Sequence, residues 1–336
     1  MRRIYFIPLI LLSNLCLVIA AFCDPLEAPV RGVIISTHGG GRDWGNDTIV
    51  QTIMDIRDVG ANWVSIHPYA RIRGDGSVHF RDFDPQAPPE HIVRPIREAH
   101  ALGMRICIKP HLAYWRSPFS WRGEITFSDD ESWETFWAGY RLWILKLAEA
   151  CKDADVFVVG TELDKTLHME DKWRDLIWEV RAISDVPLTY GANWTDYDRV
   201  PFWDALDMIG IQAYFPIADS VDAGREELES GWSKLMDKLR KFGEDREQRI
   251  LFTELGYNRS LEAAVKPWEY RVDGEEAVPV QADCFRVALK AIEQENAVLG
   301  VLLWKWFPNP RPVGRNFQLA TPLLKEVISE AWKSGK

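Results

Sequence analysis

Val156-Phe157-Val158-Val159-Gly160-Thr161-Glu162-Leu163 is the stretch on which the fold turns. Its apolar, β-branched run shows no polar alternation. A strand of that kind is buried on both faces, as in a parallel sheet covered from each side. Outward along the chain the same pattern recurs. Short apolar runs at 32–37, 63–67, 104–109, 187–191, 208–213, 249–253 and 298–304 join 156–161 to give eight predicted strands. Amphipathic helical patterns separate most of them. Trp133, Phe136, Trp137 and Tyr140 share one face at spacings of three and four. So do Phe285, Ala288, Leu289 and Ile292, and, after the last strand, Leu324, Val327, Ile328 and Ala331. Gly60 and Gly103 stand where helices should stop before the next strand. The fifth unit has room only for a short helix around 201–206. Eight strands with helical crossovers predict an α/β fold, a closed (β/α)8 TIM barrel forming one domain over residues 30–334.

The start of the chain reads differently. Met1-Arg2-Arg3 precedes an apolar stretch over 4–22, with Ile19-Ala20-Ala21 offering small residues for cleavage. That is a secretory signal pattern. It predicts a secreted or periplasmic protein, or one held by an uncleaved N-terminal anchor facing outside the cytoplasm. Cys16 and Cys23 lie in or beside this segment, while Cys107, Cys151 and Cys284 sit in apolar surroundings and read as buried thiols. The 336 residues carry a net charge of −10 and no Lys/Arg-rich run, which argues against a nucleic-acid partner and for a neutral substrate. Sixteen Trp and 12% aromatic residues exceed the needs of a core; flat indole faces also pack against the C–H faces of sugar rings.

Barrel enzymes place their chemistry at the C-terminal ends of the strands. Strand by strand, those ends carry His38; His67, Tyr69 and Arg71; Lys109, His111 and Trp115; Glu162; Asn193 and Trp194; Gln212 and Tyr214; Glu254; and Trp304, Lys305 and Trp306. The longer insertions at 71–89, 110–129 and 258–280 fall on the same side. Two of the ends are carboxylates, Glu162 and Glu254, on strands that face each other across the ring. A strand-end glutamate can simply pair with an arginine or cap a helix. Two at these positions instead match the arrangement of retaining glycosidases, whose carboxyl groups stand about 5–5.5 Å apart.

Gly160-Thr161-Glu162-Leu163, Lys109-Pro110-His111, Gln212-Ala213-Tyr214-Phe215-Pro216, Thr253-Glu254-Leu255-Gly256-Tyr257 and Trp304-Lys305-Trp306 resemble glycoside hydrolase clan A, and more closely family 113, the β-mannanases. The resemblance runs from about residue 32 to 306. It implies that Glu162 is the acid/base and Glu254 the nucleophile. It also implies that Tyr214 hydrogen-bonds the nucleophile and that Trp304 is the platform beneath the sugar before the cut. One position departs: many clan A enzymes have Asn before the acid/base, to hold the sugar 2-hydroxyl, and this chain has Thr161. Asn193 or His67 is the expected replacement. The chemistry needs unequal glutamates, the acid protonated and the nucleophile ionised. Arg71, Lys109 and His111 are the expected source of positive field. Trp115, Trp121, Trp194 and Trp306 are candidate platforms for neighbouring subsites.

The substrate implied is a β-linked polysaccharide, β-1,4-mannan or glucomannan first. Glucan, xylan or exo action on oligosaccharides are the alternatives. No cofactor is implied, and a monomer is expected. A metal-dependent barrel would need clustered ligands, but no His-x-His or His-Glu-x-x-His occurs and strand 8 ends in Trp, so no metal ligands are assigned. Gly39-Gly40-Gly41 lacks a following Gly-Lys-Ser/Thr, and no Gly-x-Ser-x-Gly elbow appears. A catalytically inactive carbohydrate-binding barrel remains the rival from another class.

Overall fold

A computed structural model describes residue 26 and residues 29–309 and 311–333. The expected signal segment, residues 1–22, and Cys16 and Cys23 lie outside the described residues. In chain order the elements are β1 (Val30–Ile35), α1 (Thr48–Asp58), β2 (Trp63–Ile66), β3 (Tyr69–Ile72), β4 (Val78–His79), α2 (Glu90–Ala101), β5 (Arg105–Ile108), β6 (His111–Ala113) and α3 (Asp130–Ala150). There follow β7 (Val156–Thr161), α4 (Glu170–Ile183), β8 (Leu188–Asn193), β9 (Ile209–Gln212), α5 (Arg225–Glu244), β10 (Ile250–Leu255), α6 (Val278–Gln294), β11 (Val298–Trp306) and α7 (Pro322–Lys333).

Eight of the strands close into a parallel barrel in the order β1-β11-β10-β9-β8-β7-β5-β2, with β1 also pairing β2. All eight predicted strands are present. The two-sided burial read from Val156–Val159 has a concrete form. Val156 and Val158 point into the barrel with Ile34, Cys107, Met208 and Leu302, whereas Phe157 and Val159 point outward against the helices. Each strand thus feeds two apolar layers, and the continuous run follows from that.

The helical faces read from the sequence are buried: Phe136, Trp137 and Tyr140 on α3, Phe285, Ala288, Leu289 and Ile292 on α6, and Leu324, Val327 and Ile328 on α7. Gly60 and Gly103, with φ of +96° and +71°, follow the last residues of α1 and α2 as helix-ending glycines do. The fifth unit has two single 3-10 turns, Tyr197–Arg199 and Trp203–Ala205, in place of a helix. Cys107, Cys151 and Cys284 are buried free thiols.

The insertions after β2 and β5 build something the sequence did not announce. β3 pairs with β4 in antiparallel and with β6 in parallel, giving a three-stranded sheet over the barrel mouth. In that sheet Tyr69 stands opposite His111 and Arg71 opposite Ala113. Among the described residues no helix is long and apolar enough to cross a membrane.

Candidate active site

Glu162 follows the last residue of β7 on a tightly held turn. Gly160 lets the strand lie directly on α4, since a Cβ there would come within 2.5 Å of the Trp173 ring. Glu162 itself takes φ +49°, a left-handed conformation that costs a non-glycine residue roughly 1–3 kcal/mol. The turn is pinned from β8. The Glu162 N–H donates to the Gly191 carbonyl at 2.8 Å, and the Leu163 N–H donates to Tyr190 Oη at 2.7 Å. Glu254 lies near the end of β10, where the register against β9 shifts between Phe252 and Glu254. Both carboxylates line one cavity of about 250 Å³, walled by Tyr114, Trp121, Trp268 and Tyr270 and bounded by Trp304.

The two acids have different surroundings. Glu254 receives a hydrogen bond from Tyr214 Oη at 2.7 Å on Oε2, and on Oε1 it accepts from the fully buried Lys109 ammonium. Lys109 Nζ also donates to the Thr253 carbonyl at 3.1 Å. His111 Nε2 stands 3.4 Å from the same Oε1. Burial pushes the Glu254 carboxyl up, but the Lys109 charge and the His111 and Lys109 contacts outweigh it, holding the pKa well below the usual carboxylate range. Burial, with Arg122 and Lys109 adding to it, pulls the His111 imidazole well below its ordinary pKa, which favours the neutral ring.

Among the described residues Glu162 has one cationic partner, Arg122, whose Nη1 donates to Oε2 at 2.9 Å. Burial raises its carboxyl and Glu254 raises it further; Arg122 and Lys109 oppose this, and the net shift is upward. The cavity therefore holds one carboxyl biased to keep its proton and one biased to lose it. Such a pair can act as general acid and nucleophile.

The residues singled out from the sequence fall into groups. Glu162, Glu254, His111, Tyr214, Trp304 and Trp121 line the cavity. Lys109 and His67, expected to meet substrate, are fully buried behind it. Lys109 acts on Glu254, and the His67 ring packs 5.1 Å from that of Trp304, with neither ring nitrogen hydrogen-bonded. Burial pulls His67 well below its ordinary pKa, with His111 and Lys109 adding to the effect. Thr161 Oγ1 donates to the Pro110 carbonyl at 3.2 Å, so it does not face the cavity as the usual Asn would. Neither suggested replacement stands free in its place. His67 is buried, and Asn193 is held by Asp164 at 3.3 Å. Trp194 stacks at 5.3 Å on Trp268, one layer behind the wall. Trp115 is 53% exposed on the outer rim beside Tyr69, and Arg71 opens into a different cavity.

Trp306 corrects the reading outright. Strict alternation would put it on the same face as Trp304. However, the pairing of β1 with β11 skips Lys305, passing from Ile34–Trp304 to Ile35–Trp306. Trp306 is consequently turned outward, buried in the helix-facing core with Lys325 of α7 5.1 Å from its ring. The Trp304–Lys305 peptide at this point is cis.

Several residues escaped the sequence reading. Arg122, the partner of Glu162, comes from a 3-10 turn in the second insertion, where a lone arginine has no spacing to mark it; its neighbour Trp121 was the only signal. Tyr114, Trp268, Tyr270 and Phe317 are loop residues of the same kind. Lys305 was noted only as a strand end. Its Nζ stands 4.4 Å from the Trp304 ring centroid, and burial pulls its pKa down to about 8. Among the described residues no group of three or more His, Cys, Asp or Glu is placed to hold a metal ion.

Comparison with known proteins identifies the family of the chain. The family model for Glycoside Hydrolase Family 113 matches residues 36–313. A GH113 β-mannanase from Alicyclobacillus acidocaldarius, solved in complex with ManMIm, superposes with a TM-score of 0.80 at 25% identity, covering 93% of this chain and 99% of its own. A GH113 β-1,4-mannanase does so with a TM-score of 0.78 at 20% identity, covering 91% and 99%. A family 5 mannosidase from Rhizomucor miehei shares the fold alone, with a TM-score of 0.59 at 11% identity over 91% and 93% of the two chains. No curated protein sequence matches the chain. The family match spans most of the barrel, strand-end glutamates included, and the chain belongs to Glycoside Hydrolase Family 113 and is a glycoside hydrolase.

Proposed function

We propose that this chain is a retaining endo-hydrolase of β-1,4-linked mannan or glucomannan, working by double displacement on Glu162 and Glu254. The observation that carries the reading is the pair of unequal carboxyls in one aromatic-walled cavity, one raised and one lowered in pKa. The GH113 β-mannanase relatives support mannan as the backbone.

In the first step a Glu254 oxygen attacks the anomeric carbon while Glu162 delivers its proton to the departing glycosidic oxygen. The bond to the leaving sugar breaks and a glycosyl ester on Glu254 forms. Tyr214 and Lys109 keep the nucleophile ionised and fixed in orientation. Glu162, now a carboxylate, is stabilised by Arg122. In the second step it takes a proton from water, and the water oxygen attacks the anomeric carbon and releases Glu254. Trp304 is the apolar floor for the reacting sugar, and Trp121, Trp268 and Tyr270 offer further stacking faces. The basic start and apolar stretch of residues 1–22 support action outside the cytoplasm, where such polysaccharides are met.

The test is hydrolysis of mannan, glucomannan, glucan and xylan, with products sized by chromatography and their anomers followed by proton NMR. The expected result is fastest attack on mannan or glucomannan, internal cleavage to mixed oligosaccharides, and β-anomers appearing first. First appearance of α-anomers overturns the retaining mechanism. Binding of mannan without cleavage overturns the enzyme in favour of a binding barrel.

A further inference from the structure

A second and larger cavity lies beside the catalytic one. Its volume is about 540 Å³, within the range of roughly 300–1,000 Å³ typical of ligand clefts. The β1 loop and the insertion after β2 enclose it, and Gly39, Gly40, Arg42, Tyr69, Arg71 and Arg81 are among its lining. The two cavities adjoin through the mouth sheet: Tyr69 lines this one, and its ring lies 6.0 Å from that of His111, which lines the other.

The charges here are unusual for this chain. Acids outnumber Lys and Arg by 50 to 40, so an exposed arginine has no shortage of carboxylates. Neighbouring Arg94, for example, bonds both Asp47 and Glu98. Yet among the described residues Arg42, Arg71 and Arg81 make no side-chain hydrogen bond or ion pair. Among the described residues neither acid on the lining, Asp82 or Asp84, forms an ion pair with these arginines. Asp82 binds Lys146 at 2.5 Å, and Asp84 accepts the Gln86 N–H at 3.0 Å. Of the two histidines, His79 bonds Ser77, and His91 is pulled below its ordinary pKa by burial and then by Arg81 and Arg42. The charges of Arg81 and Arg42 thus act on the same half-buried imidazole. A Cβ at Gly39 or Gly40 would meet nothing within 4 Å, so the backbone on that side is open to a ligand.

We propose that this cavity is a second carbohydrate subsite that takes an acidic sugar, a uronic acid unit, whose carboxylate is bound by Arg42, Arg71 and Arg81. Planar guanidiniums match a carboxylate in bidentate geometry. Screening confines their field to within about 10 Å, so the overall negative charge of the protein does not cancel it. The backbone cut in the catalytic cavity remains neutral; the acidic unit extends or branches from it. This inference rests on the glycan-hydrolase reading.

The experiment uses the full chain carrying Glu254→Gln, which binds without turnover. Two β-1,4-linked oligosaccharides of equal length, one neutral and one bearing a uronic acid, are titrated by calorimetry at low and high salt. The expected result is at least tenfold tighter binding of the acidic ligand at low salt, and a smaller ratio at high salt. In the added double variant Arg42→Gln/Arg81→Gln the ratio falls to near one, with the neutral ligand unchanged within twofold. Equal affinity for the two ligands overturns the proposal. So does a double variant that weakens both alike, and so does a gain with a sulfated oligosaccharide but none with the uronate. Cleavage of neutral mannan by the chain with Glu254 intact is measured separately, so either reading can fail alone.

Discussion

Replacing Lys109 by Met removes the one ammonium that, among the described residues, contacts Glu254, and keeps most of the buried volume. A hydrogen bond to a charged group contributes about 1.5–3 kcal/mol. One pKa unit corresponds to about 1.4 kcal/mol, so the Glu254 pKa should rise by about 1–2 units. The acid limb of the kcat/KM profile, which reports ionisation of the nucleophile, should move up by the same amount on a mannooligosaccharide substrate. Stability should change as well. In the native chain the Glu254 pKa lies below its unfolded value. Glu254 therefore contributes stability above the unfolded pKa, and that contribution is lost as pH falls through the folded one. In the variant His111 and Tyr214 still contact the carboxyl, but the folded pKa rises and the contribution shrinks by about 1.5–3 kcal/mol at neutral pH. The deficit is fully present above the variant's folded pKa and fades as pH falls through it towards the native one. Urea unfolding at pH 7 and pH 3 would show the larger deficit at the first and a smaller one at the second. An acid limb left at its native position, with activity retained, would refute the claim that Lys109 holds the nucleophile ionised.

Other perturbations separate the remaining parts. Tyr214→Phe removes the 2.7 Å bond to Glu254 and should lower kcat about 10–100-fold, with a smaller upward shift of the acid limb than Lys109→Met; an unchanged kcat would rule Tyr214 out. Glu162→Gln should abolish the basic limb and lose most activity on oligosaccharides while sparing aryl mannosides with acidic leaving groups; equal loss on both substrates would count against its role as acid. Because Arg122 lowers the Glu162 pKa, Arg122→Met should move the basic limb to higher pH, and a downward move would reverse the assignment. Trp306→Ala should cost about 3–5 kcal/mol of stability with KM unchanged, whereas Trp121→Ala should raise KM with little loss of stability; the opposite pattern would restore Trp306 as a platform.

The barrel was legible because its signals are local. An unbroken apolar run such as Val156–Val159 reports burial on both faces, and eight such runs leave little choice of topology. The strand-end glutamates were legible because strand ends face a common mouth. The failures began where backbone regularity ended. Trp306 was misplaced because a single skipped residue at Lys305 reverses which face a side chain takes, and no composition signals the skip. Arg122, Trp268 and Tyr270 reach the cavity from insertions whose path depends on tertiary contacts. Lys109 was expected to supply positive field and also to meet substrate; only the first holds, and its complete burial against Glu254 was not legible, because a lysine at a strand end reads as a rim charge.

The mouth sheet has a practical consequence for engineering. One of its strands, β3, follows barrel strand β2, and another, β6, follows barrel strand β5; Tyr69 and His111 stand opposite each other on that shared ladder. Loop grafting, the usual route to new specificity in barrel scaffolds, treats each insertion as an independent cassette. Here the two cassettes are spliced by backbone hydrogen bonds, the His111 N–H donating to the Pro68 carbonyl among them. Transplanting either one alone would strip the other of its partner and displace His111 from the nucleophile, so the pair must be exchanged together.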